Sequence, residues 1–126
     1  MCHAAMASGQ TYGQRKREKR PVVEETTELT ITHHVQGQGG CYLAVVRNSS
    51  HEAYLQWEPG GVQAGKEVRI AAHTVVPRAI GGRGVAAALV MRMVADARRQ
   101  GFLIRPDCSY VAAKFAANPD WSVLKA

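Results

Sequence analysis

Apolar and polar residues alternate from Leu29 to Val35, with Leu29, Ile31, His33 and Val35 on one side and Thr30, Thr32 and His34 on the other. This period of two predicts a half-buried β-strand. The stretch 37–40 (GQGG) breaks it, and 41–46 (CYLAVV) is apolar and β-branched enough to predict a more deeply buried strand. Asn48, Ser49, Ser50 and His51 read as a hairpin turn, 53–57 as the returning strand, and Pro59-Gly60-Gly61 as the signal that ends it. A further strand is expected over 67–76 (EVRIAAHTVV), stopped by Pro77. Short connections between successive strands favour an antiparallel meander.

After Pro77 the period changes. A loop with glycines at 81, 82 and 84 leads into 85–99, where Val85, Leu89, Met93 and Ala97 form one ridge and Ala86, Val90 and Val94 the next. That spacing predicts a helix laid on the sheet, with Arg92, Asp96 and Arg99 on its opposite side and Gly101 as its stop. Residues 102–104 predict a strand, 110–117 a second helix closed by Asn118-Pro119, and 121–124 a last turn, with Trp57 and Trp121 in the core. The fold class is α+β, and the strands on either side of the long helix are joined by a crossover and expected to be parallel.

The 126 residues fit one domain and exclude a multidomain enzyme. No apolar run approaches the ~20 residues that span a bilayer, so no membrane partner is expected. The net charge of +6 suggests nucleic acid until it is divided by position. Residues 1–20 hold five Lys and Arg against Glu18, a net +4, and leave +2 for the remainder. Residues 1–23 therefore read as a disordered basic tail and 24–126 as the folded domain. Nucleic acid is a partner only through the block Arg15, Lys16, Arg17, Glu18, Lys19, Arg20, whose plainer reading is a solvated tail. No apolar signal core is present in that tail and the three cysteines form no CxxC pair, so reduced thiols and a cytoplasmic location, or a nuclear one in a eukaryote, are expected. His33 and His34, adjacent on a strand, point to opposite faces; no zinc-type spacing occurs, and no metal site is expected.

The chemistry lies in 81–90 (GGRGVAAALV). A strand that ends in a glycine loop opening a helix leaves backbone N–H groups unpaired at the positive end of the helix dipole. Glycines let an anion reach those amides and Arg83 adds a charge, which suits a phosphate or pyrophosphate. Neither GxxxxGK[ST] nor GxGxxG is present.

The loop resembles the acyl-CoA pyrophosphate loop of the GNAT superfamily of N-acetyltransferases, [R/Q]xxGx[G/A], with Gly84 and Ala86 in the last two positions and Gly81 in the first. The order HTVVP (73–77), loop, helix, PDCSYVAAKF (106–115) and NPDW (118–121) is similar to that of small single-domain members of the superfamily, over 28–124. The resemblance implies a mixed sheet with a splayed parallel pair, and acetyl transfer from acetyl-CoA to an amine acceptor, a small molecule or a protein lysine. It implies pantetheine along the strand ending at Val75 and Val76, and the pyrophosphate on the amides of Gly82, Arg83, Gly84, Val85, Ala86 and Ala87. It also brings forward Cys108, as acyl-accepting thiolate or as proton donor to the departing CoA sulfur, beside the plainer reading of a buried pocket residue. His73 is the candidate base for the amine, beside the reading of a structural histidine. Tyr110 and Asn118 are lesser pocket candidates. A CoA-binding module without efficient catalysis, and a polyanion- or chromatin-associated protein acting through the tail, are the alternatives.

Overall fold

The computed structural model describes residues 29–126, so the expected tail over 1–23 and the start of the domain at 24 lie outside the described residues. Among the described residues five strands form one sheet in the order β1 (Leu29–Gln36), β2 (Gly39–Val46), β3 (Glu52–Gln63), β4 (Lys66–Val75), β5 (Leu103–Pro106). The first three pairings are antiparallel and β4 with β5 is parallel. A 3-10 turn (Arg78–Ile80) and helix α1 (Val85–Gln100) form the crossover, and α2 (Ser109–Ala117) and a 3-10 segment (Pro119–Leu124) close the chain. This mixed sheet with packed helices is the α+β arrangement expected from the sequence.

One face of the sheet is covered by the helices. Tyr42, Ala44, Leu55, Trp57 and Ala71 from the strands meet Val85, Leu89, Val90, Met93 and Val94 from α1, with Phe102, Ile104, Val111 and Phe115 completing the core. Each large aliphatic or phenylalanine side chain among them removed from water contributes about 1.5–3 kcal/mol, which is why the apolar ridges of α1 dictate how it lies. Trp57 is buried and Trp121 packs at the core's edge against Phe115. Outer strand β5 is protected by the C-terminus, where the Ala126 N–H donates to the Ile104 carbonyl at 2.8 Å.

Three expectations are corrected. Pro59-Gly60-Gly61 does not end β3, which runs to Gln63 because register shifts at Gln56/Trp57 and Pro59/Val62 absorb the irregular residues. Glycine is needed there: a Cβ on Gly60 would lie 2.8 Å from Val68 and 2.9 Å from Ile70. Asp96 does not face solvent but is buried at 1% exposure. It accepts from the Tyr42 hydroxyl at 2.8 Å, and from Arg99 and Arg92 at 2.7 and 3.3 Å. Finally, Cys41 is disulfide-bonded, so the expected reduced thiol is found among the described cysteines only at Cys108.

Candidate functional site

The ladder between β4 and β5 stops at Ala71↔Pro106, yet β4 continues to Val75. Past Ala71 the edge of β4 facing β5 has no strand partner among the described residues, while its other edge stays paired with β3 through His73, Thr74 and Val75. The chain leaves β5 at Pro106 and turns into α2, whose first residues stand beside this open edge. The Cys108 N–H donates to the Ala71 carbonyl at 2.9 Å, the last backbone tie before the gap.

Register sorts the side chains of β4 onto two faces. Thr74 lies opposite Leu55, a core residue under α1, and so shares the helix-covered face; His73 lies opposite Gln56 and is exposed on the other. The Cys108 thiol donates to Thr74 Oγ1 at 3.5 Å, which places it on the Thr74 side. Cys108 and His73 are thus neighbours of one strand edge but are separated by the sheet. Thr74 is the residue that sequence reasoning passed over, although strand alternation next to an exposed His73 is the signal that marks it.

Cys108 is the N-cap of α2, without a side-chain hydrogen bond closed to the helix. Burial pushes its thiol pKa up, but the Thr74 hydroxyl and the N–H groups of Val111, Tyr110 and Thr74 outweigh burial and hold it below the ordinary value. Groups of this kind favour a negative sulfur over a neutral one. Neighbouring ionisable groups are otherwise engaged: Arg105 and Asp107 pair at 2.9 Å, and Lys114 lies over the Tyr110 ring. Asn118 caps α2 by donating from Nδ2 to the Lys114 carbonyl at 2.8 Å, which accounts for its place without a ligand.

Beyond β4, the chain passes half-buried Val76 and the 3-10 turn into an exposed loop of Gly81, Gly82, Arg83 and Gly84. Gly82 and Gly84 have φ of 76° and 75°, backbone that glycine adopts readily. Gly84 is the N-cap of α1; the first bond of the helix runs from the Ala88 N–H to the Gly84 carbonyl. No side chain caps this end and no acidic residue stands in the first turn. Among the described residues, the amides of Val85, Ala86 and Ala87 therefore meet a helix dipole with no carboxylate in its first turn, on a loop without side-chain bulk at 82 and 84. Arg83 borders a hollow of about 350 Å³ with Leu29, Val46 and Val85, on the β1–β2 side of the loop. Among the described residues no three His, Cys, Asp or Glu side chains converge as metal ligands would.

An open strand edge, a polarised thiol beside it and an uncapped glycine-led helix start follow one another at the end of β4. The sequence matches the GCN5-related N-acetyltransferase family over residues 41–124, and the chain belongs to that family. Its function is accordingly acetyltransferase-like in general. Comparison with curated proteins finds no match.

Proposed function

We propose that the protein transfers an acetyl group from acetyl-CoA to an amine, with CoA lying along the open edge of β4. The observation that carries this reading is the end of the β4–β5 ladder at Ala71 while β4 runs on to Val75, directly before the glycine loop. In this reading backbone groups near Val75 and Val76 hydrogen-bond the pantetheine amides. The pyrophosphate rests on the amides of Gly82, Arg83, Gly84, Val85, Ala86 and Ala87, assisted by the Arg83 guanidinium. Backbone N–H groups at the open edge of β4 stabilise charge on the thioester oxygen as the carbonyl is attacked.

Cys108 is the proposed acyl acceptor. Its sulfur, ionised, attacks the thioester carbonyl; the bond from that carbon to the CoA sulfur breaks and CoA leaves as the thiolate. The amine then attacks the acetyl-cysteine, the Cys108 sulfur departs as the thiolate and the amine's proton is released to water; His73, on the opposite face of the sheet, can receive it only through a water relay around the open edge of β4. The acceptor is a small amine or a protein lysine.

The test is CoA release from acetyl-CoA across a panel of amines, with mass spectrometry of Cys108 after acetyl-CoA alone. Acetyl on Cys108, and turnover reduced roughly 100-fold or more in Cys108→Ala, support the reading. Full turnover in Cys108→Ala would remove the thiol from the mechanism. Separation of Cys108 and His73 by the sheet favours one further reading, a CoA-binding module with little transfer activity, which tight CoA binding without turnover on any amine would establish.

A further inference from the structure

We infer that Thr74 is a positioning residue for Cys108, orienting the sulfur at the open edge of β4 and stabilising its ionised form. This deepens the reading of Cys108 as the acyl acceptor and rests on it. Three contacts make the arrangement specific. The Cys108 N–H is tied to the Ala71 carbonyl at 2.9 Å, so the backbone carrying the thiol is locked to β4 three residues before Thr74. Strand register puts the Thr74 side chain on the helix-covered face, where the thiol also lies. The thiol then meets the hydroxyl at 3.5 Å, and both side chains are half-buried.

A threonine hydroxyl is both acceptor and donor and its proton rotates. With the neutral thiol it accepts, as observed. When the thiol loses its proton to water, the hydroxyl turns and donates to the negative sulfur, adding to the N–H groups at the start of α2. The β-branched carbon of Thr74 restricts the rotamers that bring Oγ1 there, so little rotational freedom is lost in making the contact.

Among the described residues, ionisable neighbours do not offer the same service. His73, next in sequence, is on the opposite face of the sheet, and Asp107 is held by Arg105. On α2 Lys114 lies over Tyr110, and on the closing 3-10 segment Asp120 is exposed. Arg92, Asp96 and Arg99 of α1 are engaged with one another and with Tyr42 of β2, while Arg98 is exposed.

The test measures the pH dependence of iodoacetamide alkylation at Cys108, read on its own peptide by mass spectrometry, in the full chain and in Thr74→Val, Thr74→Ala and Thr74→Ser. A hydrogen bond to a charged group is worth enough to move the alkylation midpoint up by roughly one to two pH units in Thr74→Val and Thr74→Ala. Thr74→Ser, which keeps the hydroxyl, should restore a midpoint near that of the parent, an outcome that loss of packing alone would not give. Midpoints unchanged in Thr74→Val and Thr74→Ala would overturn the inference. CoA titration of the same proteins separates the two levels: CoA binding with an unmoved midpoint defeats Thr74 alone. A shifted midpoint without CoA binding leaves the thiol–hydroxyl pairing standing and defeats the proposed function.

Discussion

The phenolic hydroxyl of Tyr42 on β2 donates to the carboxylate of Asp96 on α1 at 2.8 Å, inside the core. Burial raises the pKa of Asp96, but the Tyr42 hydroxyl, Arg92 and Arg99 outweigh burial and hold it below the ordinary carboxylate value. Tyr42 responds in the opposite sense, with burial and Asp96 pushing its hydroxyl well above the usual phenol range. Arg92 also donates to the Ile31 carbonyl at 3.2 Å, so one carboxylate ties α1 to β1 and β2.

Removing that carboxylate strands its donors. Asp96→Ala is expected to lose about 2–4 kcal/mol in urea unfolding, since it leaves the buried Tyr42 hydroxyl without a partner and removes the anion that Arg99, open to water, and Arg92, which keeps the Ile31 carbonyl, both pair with. Tyr42→Phe, which removes one donor and leaves Asp96 its arginines, should lose only about 1–2 kcal/mol. Equal losses in the two variants would show that the arginines do not depend on Asp96.

A second prediction concerns acid. The Trp57 indole N–H donates to His33 Nε2 at 3.0 Å, and His33 stacks on Tyr42 with ring centroids 4.3 Å apart. Burial, then Arg69, lowers the His33 pKa from its ordinary 6.5, with Asp96 opposing. The unfolded chain therefore takes up the proton first as pH falls. His33 contributes stability that is complete above its unfolded pKa and is lost as pH drops from there toward the folded value. The urea midpoint of the parent should fall between pH 7.5 and 5.5 more than that of His33→Gln. Parallel midpoints in the two proteins would contradict the assignment.

At the loop, backbone and charge are separable. Gly84→Ala forces a Cβ into the left-handed region at φ 75° and should destabilise by about 1–2 kcal/mol while weakening CoA binding. Space is not the cause, because a Cβ there meets no atom within 4 Å. Arg83→Ala, on an exposed residue, should leave stability unchanged and weaken CoA roughly three- to tenfold, less so at high salt. Titration of both variants at two salt concentrations checks this. Unchanged CoA affinity in both would place the phosphates elsewhere.

Much of this architecture is legible along the chain because the signals are local and periodic. Alternation in 29–35 and 41–46, the ridges of α1 and the stop at Gly101 all follow from spacing, and the structure keeps them to within a residue or two. What local reading missed are relations between distant segments. Asp96 reads as a solvent-facing partner of Arg92 until Tyr42, 54 residues earlier, is placed above it. Pro59-Gly60-Gly61 reads as a terminator because tolerance of a bulge depends on Val68 and Ile70 in the next strand. For the site, the glycine loop and helix start were visible as backbone chemistry. The distribution of His73, Thr74 and Cys108 over two faces depends on the register between β3 and β4 and on where β5 leaves the sheet.

The central claim, that the open edge of β4 and the uncapped start of α1 together hold CoA, is tested most directly by isothermal titration of CoA and acetyl-CoA into the 126-residue chain. Saturable binding at one site per chain, weakened in Arg83→Ala and Gly84→Ala, is the predicted result. No binding heat at millimolar ligand, over a range of temperatures, would contradict it.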